Sequence, residues 1–174
     1  MNDRIIRLLL IENDPGDADL VREMLSEDKS FSFQLECADR LATGLNRLAQ
    51  GGIDIVLLDL NLPDSTGLDT FVKVHIQFPQ VAVVILTGSY LDEQWALAAI
   101  EEGAQDYLEK SEVKGKTLAR VLFYAVERQR EEEQSRQTCT DLELRIKELT
   151  AELACVNEAL HKALAELRQQ PGSS

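Results

Sequence analysis

The segment Val56-Leu57-Leu58-Asp59-Leu60-Asn61-Leu62-Pro63 does most to narrow what this chain can fold into. Its apolar residues run unbroken over the length of one strand, follow Gly51-Gly52 and stop at a Pro-bearing turn, the pattern of a buried central strand. A carboxylate is costly in an apolar core, so Asp59 belongs at the open C-terminal edge of a sheet, where α/β folds place their sites.

Four further strands are expected around it. Ile5 to Ile11 forms the first, closed by Glu12-Asn13-Asp14-Pro15-Gly16-Asp17, a turn and helix start. Leu20, Val21, Met24 and Leu25 recur at helical spacing, and Phe31, Phe33 and Leu35 then alternate as a half-buried edge strand. A second helix covers Leu41, Leu45 and Leu48. Beyond Asp59 a loop through Gly67 leads into a helix carrying Leu68, Phe71, Val72 and Val74, ended by Pro79. Val81 to Leu86 is a fourth buried strand running into Thr87-Gly88-Ser89. A helix with Leu91, Trp95, Ala98 and Ala99 stops at Gly103, and Gln105 to Leu108 is a short fifth strand before Glu109-Lys110. Strands alternating with helices imply right-handed crossovers and a doubly wound parallel sheet. All strand ends then share one rim, which gathers Glu12, Asn13, Asp14, Asp59, Thr87 and Lys110.

The net charge of −13 is concentrated early: residues 1–117 hold 21 acids against 10 bases, residues 118–174 hold 10 against 8. That balance excludes a basic footprint for nucleic acid. No apolar run approaches a membrane span and the N-terminus lacks the features of a secretory signal, so a cytoplasmic protein without membrane contact is expected. Cys37, Cys139 and Cys155 form neither a disulfide framework nor a metal-ligand spacing.

Carboxylates crowded at one rim repel unless a cation joins them or a proton is retained. An oxygen-rich set with few fixed ligands suits Mg²⁺. Lys110 and Thr87 add a positive charge and a hydroxyl suited to stabilising extra negative charge on Asp59, which fits a carboxylate that receives a phosphoryl group. Four motifs, Glu12-Asn13-Asp14, Leu58 to Pro63 with Gly67, Leu86-Thr87-Gly88, and Gly103 to Lys110, resemble in order and spacing the receiver domain of two-component response regulators. The resemblance covers residues 4–128. It implies a flavodoxin-like fold with strand order 2-1-3-4-5 and phosphorylation of Asp59 by a sensor histidine kinase or phosphotransfer protein. It also implies Mg²⁺ at Glu12, Asn13, Asp59 and the Asn61 carbonyl, with Thr87, Gly88, Tyr107 and Lys110 as phosphate-contact and switch residues. Such a module is not an enzyme with a separate substrate. One departure stands out: Asn13 occupies the second position of the usual adjacent acid pair, which costs the metal one formal charge. The alternative is therefore a weakly phosphorylated or unphosphorylated receiver-like dimerisation scaffold.

Tyr107 reads equally as strand packing, and Trp95 as a partly buried anchor. His75 and His161 have no second ligand at helical spacing and read as packed or solvated histidines. The surroundings of His161 do not resemble a histidine-kinase box. An FMN-binding flavodoxin-like protein is disfavoured because Glu12 and Asp14 would repel a phosphate in the first loop.

A last helix is expected from near Val113 to Pro171-Gly172, far longer than closing the sheet requires. Cys139, Leu142, Ile146, Leu149, Leu153, Val156, Leu160, Ala163 and Leu167 alternate steps of three and four, an a/d seam over about four heptads. Arg128, Glu132 and Ser135 continue the phase backward as a polar interval. Glu131 at g opposite Arg136 at e favours a parallel homodimer, in which Cys139 faces its own copy. The expected organisation is a receiver domain at 1–128, a coiled-coil extension at 129–170 and a tail at 171–174. The seam also resembles linkers that join receivers to further signalling domains, so the chain reads either as part of a longer protein or as a receiver whose output is its own helix.

Overall fold

The computed structural model describes residues 5–88 and 90–169, with backbone alone at 90–92 and 169. Expectations resting on Arg4, Ser89, the Leu91 side chain and the tail 171–174 lie outside the described residues. Along the chain come β1 (Ile5–Ile11), α1 (Pro15–Glu27), β2 (Ser32–Ala38), α2 (Leu41–Ala49), β3 (Ile55–Asp59), β4 (Asn61–Leu62) and β5 (Ser65–Thr66). They are followed by α3 (Leu68–Gln77), β6 (Ala82–Thr87), α4 (Tyr90–Glu101), β7 (Asp106–Glu109) and α5 (Gly115–Gln169). The chain divides into two units, residues 1–131 and 132–174.

The first unit holds a five-stranded parallel sheet in the order β2-β1-β3-β6-β7. This is the expected 2-1-3-4-5 order once the two-residue strands are set aside. β3 pairs on both sides, so its residues from Ile55 to Asp59 are all buried. Side chains alternate between the sheet's two faces. Leu9, Ile11, Val56, Leu58, Val83 and Ile85 join the core that includes Leu41, Leu48, Phe71 and Val74. Ile6, Leu8, Leu10, Leu57, Val84 and Leu86 join the opposite core with Val21, Leu25, Leu118 and Leu122.

Three local outcomes differ from the sequence reading. The segment after Asp59, expected as a loop, contains a small antiparallel hairpin in which Asn61 pairs with Thr66 and Leu62 with Ser65. On α4 the buried positions are Ala96 and Ala99 and the expected Ala98 is only half-buried, while Trp95, 36% exposed, is the partly buried anchor expected. Small residues there let the helix lie close to the sheet. The last helix starts at Gly115, two residues later than expected. A Cβ at Gly115 would stand 2.6 Å from the Met24 carbonyl oxygen. The start of α5 and the end of α1 are thus in backbone contact.

Near the end of the first unit, polar contacts tie α5 to the strand beginnings. Arg128 donates to the Gln105 side chain at 3.0 Å and to its carbonyl at 2.7 Å, and Gln129 donates to the Pro79 carbonyl at 2.9 Å. Arg130 pairs with Asp54 at 3.0 Å. Arg128, expected as part of a polar seam, bonds within its own domain instead. In the second unit the seam positions Leu142, Ile146, Leu149, Leu153, Val156, Leu160 and Leu167 are 43–67% exposed in the single chain.

Gly115→Ala is expected to lower the unfolding free energy by about 1–3 kcal/mol, because backbone has to move to admit the methyl group. A urea midpoint unchanged from wild type would contradict this.

Candidate functional site at the strand ends

Parallel strand order places the C-termini of β1, β3, β6 and β7 along one rim, and the residue after each apolar run is the one that emerges. Glu12 follows β1, and Asp59 and Thr87 close β3 and β6; they are 5%, 5% and 2% exposed. Lys110 follows β7 and is positioned by its N–H, which donates to the Thr87 carbonyl at 2.8 Å.

The centre of the site is the Lys110 ammonium. It lies 2.9 Å from Asp59 Oδ2, 2.8 Å from Asp17 Oδ2 and 2.6 Å from Glu12 Oε2. The first two are hydrogen bonds. The approach to Glu12 is an ion pair without hydrogen-bond geometry, which leaves Oε2 a buried oxygen lacking a hydrogen-bond partner. Glu12 Oε1 accepts the Asp14 N–H at 2.9 Å, and Asp59 Oδ1 accepts the Asn61 N–H at 2.9 Å. Two like charges about 4 Å apart repel by roughly 4 kcal/mol at an effective dielectric near 20, so a buried carboxylate pair with no cation would not persist ionised.

Burial pushes the Glu12 carboxyl above its ordinary value. Lys110 and the Asp14 N–H pull it back only in part, and the Asp59 charge adds to the rise. Burial acts to lower the Lys110 ammonium, but the close contacts with Asp17, Glu12 and Asp59 more than offset it, and the group is raised. Lys110 therefore stays charged throughout the neutral range.

Asp17 carries no mark in the sequence beyond its place in an acidic helix start. Asp14, whose direction the sequence leaves open, caps α1: its Oδ1 accepts the N–H groups of Gly16 at 2.7 Å and Asp17 at 3.1 Å. Pro15 opens the helix, and Asp17, an acid at its positive end, faces Lys110. Asn13, Asn61 and Gly88 are exposed at the rim. The Thr87 hydroxyl donates to the Leu108 carbonyl at 3.3 Å. Tyr107 is half-buried, packs against the core and lines a cleft of about 580 Å³ with Thr87, Glu109, Glu112 and Thr117. His75 stacks on Phe71 with ring centroids 5.2 Å apart, a packed histidine.

The hairpin after Asp59 is held from three sides. The Gly67 N–H donates to the Leu60 carbonyl at 2.8 Å, and Gly67 has φ +68°, a conformation that favours glycine. A Cβ there would meet the Trp95 ring at 3.3 Å, so Trp95 of α4 covers the loop. Asp64 accepts the N–H groups of Leu41 and Ala42, both at 2.9 Å, supplying the anion that α2 lacks at its own N-cap. Those bonds hold the Asp64 carboxyl below the usual carboxylate range.

A buried acid at the end of a central parallel strand, clasped by the lysine that follows the last strand, agrees with the family match, in which residues 8–122 match the response regulator receiver domain. The chain belongs to the receiver domain family. The cell cycle response regulator CtrA of Brucella ovis is 32% identical over 156 residues, covering 86% of this chain and 62% of that protein. The cell cycle transcriptional regulator CtrA of Caulobacter vibrioides is 32% identical over 116 residues, 67% of this chain and 48% of that protein. The chain thus spans about 62% or less of these relatives' length. The signal receiver domain of an HD domain-containing protein from Pseudomonas fluorescens superposes with TM-score 0.66 at 26% identity, covering 77% of this chain and 96% of that one. A receiver domain from Clostridium thermocellum gives 0.63 at 27%, covering 72% and 97%. In this receiver no described helix is long and apolar enough to cross a membrane.

Receiver domains generally bind Mg²⁺ at their acidic site. The donors here fit such an ion, being hard oxygens that include the unpartnered Glu12 Oε2. Among the described residues no three Asp, Glu, His or Cys side chains are grouped to hold a metal unaided.

A raised Glu12 carboxyl favours the folded state fully below the ordinary glutamate value, and that contribution is lost as pH rises through the folded value. Glu12→Gln is therefore expected to gain stability relative to wild type between pH 4 and pH 7. A difference in urea midpoints that stays flat over that range would contradict the assignment.

Proposed function

We propose that this receiver accepts a phosphoryl group on Asp59 from the phosphohistidine of a sensor histidine kinase or phosphotransfer protein. The observation that carries the reading is the buried Asp59 carboxylate, oriented by Lys110 on one oxygen and by the Asn61 N–H on the other. In the transfer an Asp59 oxygen bonds to phosphorus while the phosphorus–nitrogen bond of the donor breaks, and the imidazole leaves with the electron pair. Lys110 turns to the arriving phosphoryl oxygens. The Thr87 hydroxyl exchanges the Leu108 carbonyl for one of them, and the exposed Gly88 stands beside it. The cleft next to Tyr107 gives its ring space to change rotamer as Thr87 moves. Mg²⁺, when bound, neutralises phosphoryl oxygens, and Glu12, Asn13, Asp59 and the Asn61 carbonyl are the residues to hold it. Asn13 contributes an oxygen without a charge.

The output is a parallel coiled-coil homodimer. In this reading the receiver occupies 1–128 and the extension 129–170, with the seam formed by Cys139, Leu142, Ile146, Leu149, Leu153, Val156, Leu160, Ala163 and Leu167. Support comes from the exposure of these large apolar residues in the single chain. Fully burying one leucine is worth about 1.5–3 kcal/mol, so several together drive pairing. The Caulobacter relative is named a transcriptional regulator, but this acidic chain covers 48% of it, and no nucleic-acid contact is proposed for the segment. A constitutive dimeric scaffold with a rarely phosphorylated site is the second reading, and the neutral, exposed Asn13 is what favours it.

Acetyl phosphate with Mg²⁺ is expected to add the mass of one phosphoryl group to the wild type and none to Asp59→Asn; an unmodified wild type decides for the scaffold. Asn13→Asp is expected to bind Mg²⁺ roughly tenfold more tightly or better, read by titration of Trp95 fluorescence, and equal affinities would remove Asn13 from the metal's surroundings. Leu153→Lys is expected to shift the chain from dimer to monomer in sedimentation equilibrium. A dimer of unchanged strength would refute the seam.

A further inference from the structure

We propose that Asp17 is a positioning residue that holds Lys110 in the unphosphorylated state and is the partner Lys110 gives up when a phosphoryl group arrives. The inference rests on Asp59 being the phosphoacceptor.

An ammonium has three protons and no more. Lys110 gives one each to Asp59 and Asp17, at 2.9 and 2.8 Å, and the Glu12 carboxylate lies against it at 2.6 Å. With three carboxylates packed around the ammonium, an arriving phosphoryl oxygen has to displace one of them. Asp59 carries the new group and remains adjacent. The Glu12 side chain is 1% exposed, so without Lys110 its charge would be left to Mg²⁺ alone, out of reach of water. The Asp17 side chain is 35% exposed and stands in the first turn of α1, where water and the positive helix end both receive a released carboxylate. Asp17 is the partner that costs least to release.

The neighbouring acid does not share the role. Asp14 spends its Oδ1 on the Gly16 and Asp17 N–H groups, and at position 13 the chain has an exposed, neutral Asn. Within the segment from Glu12 to Asp17, only Glu12 and Asp17 reach Lys110 among the described contacts. Asp17 therefore acts as a counter-ion whose hold on Lys110 opposes the activated state.

Beryllium fluoride with Mg²⁺ serves as the phosphoryl mimic, titrated into the full chain and read by fluorine NMR. Asp17→Asn is expected to bind it about fivefold more tightly than wild type, the factor expected for losing a partly exposed ion pair of about 1 kcal/mol. Asp17→Glu is expected to restore wild-type affinity. Asp14→Asn removes the same charge from the same turn, keeps a capping side chain and touches no lysine, so it should change affinity little. The Lys110 ammonium protons should also exchange with water faster in Asp17→Asn before any mimic is added. Equal tightening in Asp17→Asn and Asp14→Asn would reduce the effect to net charge and overturn the inference while leaving the phosphoacceptor reading intact. Failure of every variant and of wild type to bind the mimic would overturn both.

Discussion

An ionised carboxylate at the end of an apolar strand needs a cation within reach, and Lys110 meets that need for Asp59 and Glu12 together. Glu12 follows β1 and Asp59 ends β3, and both lie beside runs of at least four buried residues, so neither can turn into bulk water without unravelling a strand end. The lysine comes from the far side of the sheet, tethered by its own N–H to the carbonyl of Thr87. The ion cluster therefore depends on the register of β1, β3, β6 and β7. In return it fixes the geometry at the rim, since each acid is held by one oxygen to Lys110 and by the other to a backbone N–H.

The sheet was readable because apolar runs such as Val56 to Leu58 and Val83 to Leu86 cannot be placed anywhere but between neighbours. Glu12, Asp59 and Lys110 could be read for a related reason: each interrupts or ends such a run. Asp17 could not. It lies 93 residues from Lys110 in the chain, and its own surroundings are those of any acidic helix start. Only the closeness of the α1 start to the end of β7 makes it a member of the site. Trp95, read as a partly buried anchor, is one: the small Ala96 and Ala99 take the fully buried positions of α4 while the indole covers Gly67, a partner the sequence does not name.

The hairpin between Asp59 and α3 shows how short-range chemistry stiffens a loop that carries function. Asp64 at its tip supplies an anion to the start of α2, Gly67 closes its base, and a ring from α4 lies against that base. Two helices, α2 and α4, thus bear on the segment from Leu60 to Gly67 that follows the acid. The Asp64 contact does not follow from a local pattern, since Asp64 and Leu41 are 23 residues apart.

At the opposite rim, Arg128, Gln129 and Arg130 of α5 meet Gln105, Pro79 and Asp54 through hydrogen bonds near solvent. Bonds of this kind are worth about 0.5–1.5 kcal/mol each, because water replaces a lost partner. A small rotation or slide of α5 at Arg128 would trade one set of polar partners for another. The same displacement at Leu118 or Leu122, both fully buried, would open apolar surface and cost several times more. The helix is thus gripped firmly where it closes the sheet and only detained where it leaves, a graded mounting that concentrates compliance within the one turn spanning residues 128 to 130.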